Sequence, residues 1–304
     1  MNYDLIIIGA GPAALTASVY ASRYKINHAI IGENPGGYMN DAHKVCNFPS
    51  EVEISGFDLA MKMKAQAEKL GAKISLKKVT EINKIENGFS VKTSDDQEIT
   101  SRSVLLATGT IRRQLGLPNE GKFVGHGLSY CATCDAMFFR DKITTVIGSG
   151  NSALTAALYL AELCPKVYVI IRSSEFKGEP AWIESVKNNA KIEIIPETNI
   201  LELVGEGKLE ALKLDKAYKG EELLKTDGLF VEVGSTPATS FFDGLSLKFD
   251  PQGYIDVKPD QTTSVAGVYA AGDITNGSNK FHQIITACAE GAVAASSVFQ
   301  YLKS

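Results

Sequence analysis

The chain has 304 residues, 44% hydrophobic and 22% charged, with a net charge of −4, which is enough for two domains with apolar cores of their own. Its lysines and arginines are scattered among acids, which argues against a basic face that tracks phosphates and against nucleic acid as a partner. It opens Met1-Asn-Tyr-Asp with no cationic leader and no apolar run long enough to span a bilayer, so a cytoplasmic protein without a membrane partner is expected.

In chain order, residues 4–8 read as a buried parallel strand, followed by the glycine turn Gly9-Ala-Gly11-Pro-Ala-Ala14 and helical spacing from Ala13 to Tyr24. A second strand runs from Ala29 to Gly32 and ends at Glu33, completing a βαβ unit. Short alternating segments around 80–106, such as Phe89 to Thr93, split by Asn87-Gly88 and Asp95-Asp96, predict a β-meander that closes at Val104 to Gly109. The first pattern then recurs as the strand Ile143–Ile147, the turn Gly148-Ser-Gly150-Asn-Ser-Ala153, a helix through Leu163 and the strand Lys166–Ile171. Lys191–Ile195, Ala211–Leu214 and Gly228–Gly234 read as further strands of this second unit. From about Leu245 the chain returns to the first domain, through Gly267-Val-Tyr-Ala-Ala-Gly272-Asp273 and a helix from Gln283. The expected class is α/β: two Rossmann-like, three-layer ββα dinucleotide-binding domains, the second inserted in the first. The boundaries fall at 1–112 with 244–304, and 113–243.

Each glycine turn lets backbone approach a pyrophosphate at a helix N-terminus, and an acid after the next strand accepts from ribose hydroxyls. Glu33 stands in that place after the first turn. The same count after the second turn lands on Arg172, which either meets a 2′-phosphate or is a solvated arginine on a vestigial fold. Between the turns lies Ser-Tyr-Cys131-Ala-Thr-Cys134-Asp135. Cysteines at this spacing meet at one side of a turn or helix start, where N–H groups stabilise a thiolate, so a reversible redox dithiol is favoured. A zinc half-site needs two more ligands, and none is spaced for it although His126 is nearby, so no metal is expected. Asp135 is either an ordinary helix-end acid or the proton donor that a leaving thiolate needs. Five cysteines are too few and scattered for a secreted disulfide framework, and Cys46, Cys164 and Cys288 read as small buried hydrophobes. His28 and His43 read as surface or core histidines without a role.

From end to end the chain resembles the low-molecular-weight thioredoxin reductase family of two-domain flavoproteins. The resemblance is carried by Gly9-Ala-Gly11-Pro, Gly36-Gly37, Asn47-Phe-Pro49, Ala107-Thr-Gly109, Cys131-Ala-Thr-Cys134-Asp135, Gly148-x-Gly150-Asn-Ser-Ala153 and Ala271-Gly272-Asp273 with Gln283. It implies FAD held in the first domain by Gly9, Gly11, Pro12, Ala13, Glu33, Gly37, Asn47, Thr108, Gly109, Gly272, Asp273, His282, Gln283 and Ile284. It also implies that Cys134 faces the flavin, that Cys131 attacks the disulfide of a thioredoxin-like protein, that Asp135 acts as acid and base, and that the protein is a homodimer. The departures cluster in the second domain. NADPH-using members carry Glu-Glu in the helix after the second turn, then His-Arg-Arg and a further Arg. This chain has Thr155-Ala156, then Ile171-Arg172-Ser173 and Lys177. Each charge-assisted bond lost there costs roughly 1.5 to 3 kcal/mol. What is left of a nucleotide site is Gly148, Gly150, Arg172 and Lys177, so NADPH binding is expected to be weak or absent. In this the chain is most similar to the pyridine-nucleotide-independent, ferredoxin-dependent flavin thioredoxin reductases. Tyr38 replaces a frequent Gln, His282 a frequent Arg and Ala136 a common Gly.

The leading expectation is therefore an FAD-dependent disulfide reductase acting on thioredoxin or a thioredoxin-like protein, with reduced ferredoxin as electron donor. Its alternatives are an NADPH-dependent thioredoxin reductase, a small-molecule dithiol oxidase of the same fold, and a nonenzymatic interaction protein on the same scaffold.

Overall fold

A computed structural model describes residues 2–303, which divide into two compact units, 2–111 with 236–303, and 112–235. Strand β1 (Asn2–Ile8) leads through Gly11 into helix α1 (Pro12–Arg23) and then β2 (His28–Ile31). Leu5, Ile6, Ile7 and Ile8 are at most 1% exposed, because β1 lies parallel between two neighbours and is covered on both faces. Pro12 suits the first turn of α1, where its missing N–H is not needed. Helix α2 (Gly56–Lys69) is started by Ser55, whose hydroxyl accepts from the Asp58 N–H and donates to the Asp58 carboxylate at 2.6 Å.

Strands β3 (Lys73–Ser75), β4 (Val79–Ile85), β5 (Gly88–Thr93) and β6 (Glu98–Leu106) follow. The sheet runs β3-β2-β1-β6-β5-β4, with β3, β2, β1 and β6 parallel and β6, β5 and β4 an antiparallel meander. The short strand β7 (Thr110–Arg112) then leads out of this unit.

The second unit holds a short turn of helix α3 (Glu120–Phe123), β8 (Leu128–Ser129), the one-turn helix α4 (Ala132–Asp135), β9 (Ile143–Ile147), α5 (Asn151–Leu163) and β10 (Lys166–Ile170). It continues through α6 (Pro180–Lys187), β11 (Ile192–Ile195), β12 (Ile200–Val204), β13 (Ala211–Tyr218), β14 (Glu221–Lys225) and β15 (Gly228–Val231). Five strands form a parallel sheet in the order β11-β10-β9-β15-β8, and β12-β13-β14 form a separate antiparallel sheet. Its core includes Phe139 edge-on to Phe230, with ring centroids 5.2 Å apart. Gly228 makes room for this, since a Cβ there would lie 2.4 Å from the Phe139 ring.

Strand β16 (Ser235–Pro237) pairs with β7 as the chain crosses back. The return begins at Thr236, earlier than the boundary at 244, because Phe242 and Leu245 are buried with Ile82, Phe89 and Val91 of the meander. Strand β17 (Val268–Ala270) adds to the first sheet beside β6, and helix α7 (Ile284–Lys303) packs on α1 so closely that a Cβ at Gly291 would lie 2.2 Å from the Ala13 carbonyl oxygen. No helix among the described residues is long and apolar enough to cross a membrane.

Two readings of single residues resolve at this level. Cys164 is buried and Cys288 half-buried, but Cys46 is exposed, because it lies in an irregular loop rather than in a packed element. His28 is a core residue: its Nδ1–H donates to the Ile26 carbonyl at 2.9 Å and its Nε2 accepts from the Ser18 hydroxyl at 2.7 Å. Burial holds the pKa of this ring below its ordinary 6.5, with the Ile26 bond opposing. The unfolded chain therefore binds more protons than the native one as the pH falls below about 6.5, and stability is lost in that direction. A melting temperature followed from pH 7.5 to 5.5 is expected to fall less steeply in His28→Gln than in the wild type. An equal slope would show that His28 does not contribute.

Candidate active site

In the first unit the site is built where β1 ends. Gly9 has φ +104°, and a Cβ there would lie 2.1 Å from the Ala107 carbonyl oxygen, so this turn requires glycine. The chain then enters α1 at Gly11, Pro12 and Ala13 with no side chain capping the helix and no acid in its first turn. Its free N–H groups and positive dipole end are thus left for an anion. The Gly36-Gly37 turn comes up against this point: the Gly36 N–H donates to the Ala10 carbonyl at 2.7 Å, and a Cβ at Gly37 would lie 3.5 Å from Gly11 Cα. Gly272 packs from the other side, its added Cβ being 3.1 Å from that of Ala13.

Glu33 is exposed just past β2, beside Gly32, which abuts Gly9. Thr108 donates to the Ala238 carbonyl at 3.2 Å and Gly109 has φ +65°. Asn47 Nδ2 donates to Gln283 Oε1 at 3.0 Å, which joins the loop after Gly37 to the start of α7 at Ile284.

Asp273 is largely buried, and burial pushes its carboxyl above the usual range, opposed by His282 and reinforced by Glu290. His282 lies 5.3 Å from the Tyr254 ring, and its Nε2 is buried with no hydrogen-bond partner among the described residues. A buried orphan nitrogen beside an uncapped helix start and a bare glycine turn fits a polar dinucleotide such as FAD. Sequence reasoning missed Glu290, whose buried carboxylate accepts from the Gly272 N–H at 2.7 Å and the Thr275 hydroxyl at 3.3 Å. One acid in the small-residue stretch Ala-Cys-Ala-Glu-Gly-Ala was the available signal.

In the second unit the dithiol sits at the end of β8. Cys131 and Cys134 form a disulfide with Cα atoms 5.3 Å apart. Cys131 caps α4, its Sγ accepting from the Cys134 N–H at 3.2 Å; it is half-buried, whereas Cys134 is exposed. Asp135 is half-buried, and its Oδ2 accepts from the Ser129 hydroxyl at 2.6 Å. The strand before the dithiol is held by Tyr130, whose hydroxyl donates to buried Glu120; that carboxylate also accepts from the N–H groups of Leu115, Gly116 and Leu117. Burial, then Glu120, raise the Tyr130 pKa, so the phenol keeps its proton. Ser129 and Glu120 were not singled out from the sequence.

The second glycine turn keeps the backbone of the first. Gly148 has φ +145° and faces the Glu232 carbonyl oxygen, 2.1 Å from an added Cβ, and Gly150 precedes α5 with no capping side chain. The surroundings differ. The Lys177 N–H donates to the Ser149 carbonyl at 2.8 Å, and Asn151 clasps Glu179, accepting from its N–H at 2.7 Å and donating to its carboxylate at 2.9 Å. A carboxylate thus lies at the start of α5, and the Arg172 and Lys177 side chains are exposed. Thr155, in place of an acid, donates to the Asn151 carbonyl at 2.9 Å.

Comparison with known proteins agrees with this architecture. Residues 3–291 match the family described as pyridine nucleotide-disulphide oxidoreductase. The chain is 36% identical over 311 residues to a thioredoxin reductase of Peptoclostridium acidaminophilum, covering 99% of this chain and 98% of that one. The crystal structure of T. acidophilum thioredoxin reductase superposes with a TM-score of 0.94 at 37% identity, over 100% of this chain and 99% of the other. A ferredoxin-flavin thioredoxin reductase from Clostridium acetobutylicum matches at 32% identity with a TM-score of 0.54, over 99% of this chain and 98% of that one.

Proposed function

Since the chain belongs to the pyridine nucleotide-disulphide oxidoreductase family as a thioredoxin-disulfide reductase, we propose that its reductant is reduced ferredoxin rather than a pyridine nucleotide, and that Cys131 and Cys134 carry the electrons to a thioredoxin-like protein. The observation that carries this reading is the charge at the second glycine turn. Where NADPH-using members place three arginines and a histidine, this chain offers Arg172 and Lys177, both on exposed side chains, and the Glu179 carboxylate at the start of α5 opposes an anionic ligand. When bound, FAD supplies the redox couple that reduces the disulfide; Gly9, Gly11 and the α1 N-terminus would hold its pyrophosphate, Glu33 its ribose, and His282 would meet a polar group through Nε2.

The residues of the second unit do the interchange. The Cys134 N–H stabilises negative charge on Cys131 Sγ, which favours Cys131 as the sulfur that attacks the partner disulfide. Asp135 supplies the proton to the departing partner sulfur. The same reading makes the protein a cytoplasmic homodimer.

The test is anaerobic mixing of the yellow protein with excess NADPH in one cell and with reduced ferredoxin in another, followed at the visible flavin band. Bleaching by ferredoxin alone is the expected result. Fast bleaching by NADPH would replace this reading with a second one, an NADPH-dependent thioredoxin reductase. One observation favours that alternative: the Lys177 N–H is bonded to the Ser149 carbonyl, which anchors the backbone of a lysine at an otherwise intact turn.

A further inference from the structure

The hydroxyl of Ser129 stands at the centre of the dithiol segment. It accepts from the Cys131 N–H at 3.0 Å, and its one proton has two acceptors in range, Asp135 Oδ2 at 2.6 Å and the Cys131 carbonyl at 3.2 Å. The shorter bond, to a carboxylate, takes the proton. A continuous chain results, Cys131 N–H to Ser129 O–H to Asp135 Oδ2, in which each donor polarises the next.

Ser129 is itself fixed. It is 4% exposed, its strand β8 pairs with β15 at Phe230, and the next residue, Tyr130, is tied through its hydroxyl to Glu120. Asp135, by contrast, belongs to a helix of one turn, with its N–H bonded to the Cys131 carbonyl at 3.2 Å. Its carboxylate therefore takes its orientation from Ser129.

We propose that Ser129 is a positioning residue for proton transfer: it engages Asp135 Oδ2 and leaves Oδ1 to carry the proton that moves during interchange. This rests on the reading of Asp135 as acid and base. As the partner disulfide approaches, Cys131 passes its proton to Asp135 Oδ1. The Cys131 thiolate attacks one sulfur of the partner disulfide, the partner S–S bond breaks as the mixed disulfide forms, and the departing sulfur takes the proton from Oδ1. Cys134 then gives its own proton to Oδ1 and attacks Cys131 Sγ. The Cys131–Cys134 bond re-forms, and the second partner sulfur leaves and takes that proton. The enzyme dithiol is oxidised and the partner disulfide reduced, with two electrons and two protons transferred.

The experiment is a double-mutant cycle on holoenzyme reduced chemically beforehand, so that the donor plays no part. Wild type, Ser129→Ala, Asp135→Asn and the double variant are mixed with oxidised thioredoxin, and the single-turnover rate is followed against thioredoxin concentration. Positioned acid–base groups contribute roughly 10²- to 10⁴-fold. Asp135→Asn is therefore expected to slow the step about 10²-fold, and Ser129→Ala about 10-fold, with the half-saturating thioredoxin concentration unchanged. The double variant is expected to be no slower than Asp135→Asn, since Ser129 acts only through Asp135. A slow Asp135→Asn with an unaffected Ser129→Ala, or losses that multiply in the double variant, would overturn the role of Ser129 alone. An Asp135→Asn enzyme with the wild-type rate would overturn the acid–base reading and the Ser129 role with it.

Discussion

Cys131→Ser and Cys134→Ser each abolish thioredoxin reduction, by at least on the order of 10³-fold, while the protein stays folded and yellow. The magnitude follows from chemistry: a hydroxyl replaces a nucleophilic thiol at neutral pH, and loss of a covalent nucleophile removes most of the rate. The fold is spared because Cys134 is exposed and Cys131 half-buried, and a serine at 131 still offers an acceptor to the Cys134 N–H at the start of α4. Steady-state thioredoxin reduction, with the flavin band as the measure of folded holoenzyme, tests this directly. The two variants also separate the roles of the sulfurs. Presented with a single-cysteine thioredoxin activated as its mixed disulfide with a small aromatic thiol, which leaves as Cys131 attacks, the Cys134→Ser enzyme is expected to trap a mixed disulfide through Cys131. Trapping only in Cys131→Ser would exchange the two roles, and the greater exposure of Cys134 makes that outcome physically accessible.

Gly9→Ala is expected to yield colourless protein of low stability. Two costs combine: a φ of +104° is strained for any residue with a side chain, and the new methyl would lie 2.1 Å from the Ala107 carbonyl oxygen, which belongs to backbone and cannot swing aside. Together they amount to roughly 3 kcal/mol or more, and any relaxation moves the start of α1 away from where a pyrophosphate would meet it. Gly71→Ala is the matched control. Its φ is +100°, but nothing lies within 4 Å of the added Cβ, so it carries the strain of roughly 1 kcal/mol without the clash. The ratio of flavin to protein absorbance, with a thermal melt of each variant, measures both. A yellow Gly9→Ala enzyme as stable as Gly71→Ala would show that the approach of the turn to Ala107 is not needed.

Helix α2 shows where local reading fell short. Its start is a clear signal, Ser55 with Asp58 three residues on, yet the helix did not stand out, because its apolar face is thin: Leu59, Ala60 and Ala67 are buried on a helix that also carries Lys62, Lys64, Gln66, Glu68 and Lys69. Cys46 failed for the opposite reason, since the small apolar character of a cysteine says nothing about whether a packed element surrounds it. The boundary at 244 leaves residues 236–243 in the second unit, because the turn residues Gly234 and Pro237 mark a break in the chain without saying which core the following residues join. Burial of Phe242 against the meander is what places them in the first.

What the sequence determined by itself was everything whose cause lies within a few residues: the apolar strands, the two glycine turns, the helices that follow them, and a cysteine pair able to meet across one turn. These are dictated by backbone sterics and short-range spacing, which one chain displays directly. Tertiary structure alone decided the partners: Ser129 with Asp135 across 6 residues, Gly272 with Glu290 across 18, Asn151 with Glu179 across 28, and Asn47 with Gln283 across 236. A serine, a glutamate or an asparagine is an ordinary polar residue until the fold brings it within hydrogen-bond reach of one particular group, and where the pair is buried, as Glu290 with Gly272 is, burial makes that pairing obligatory.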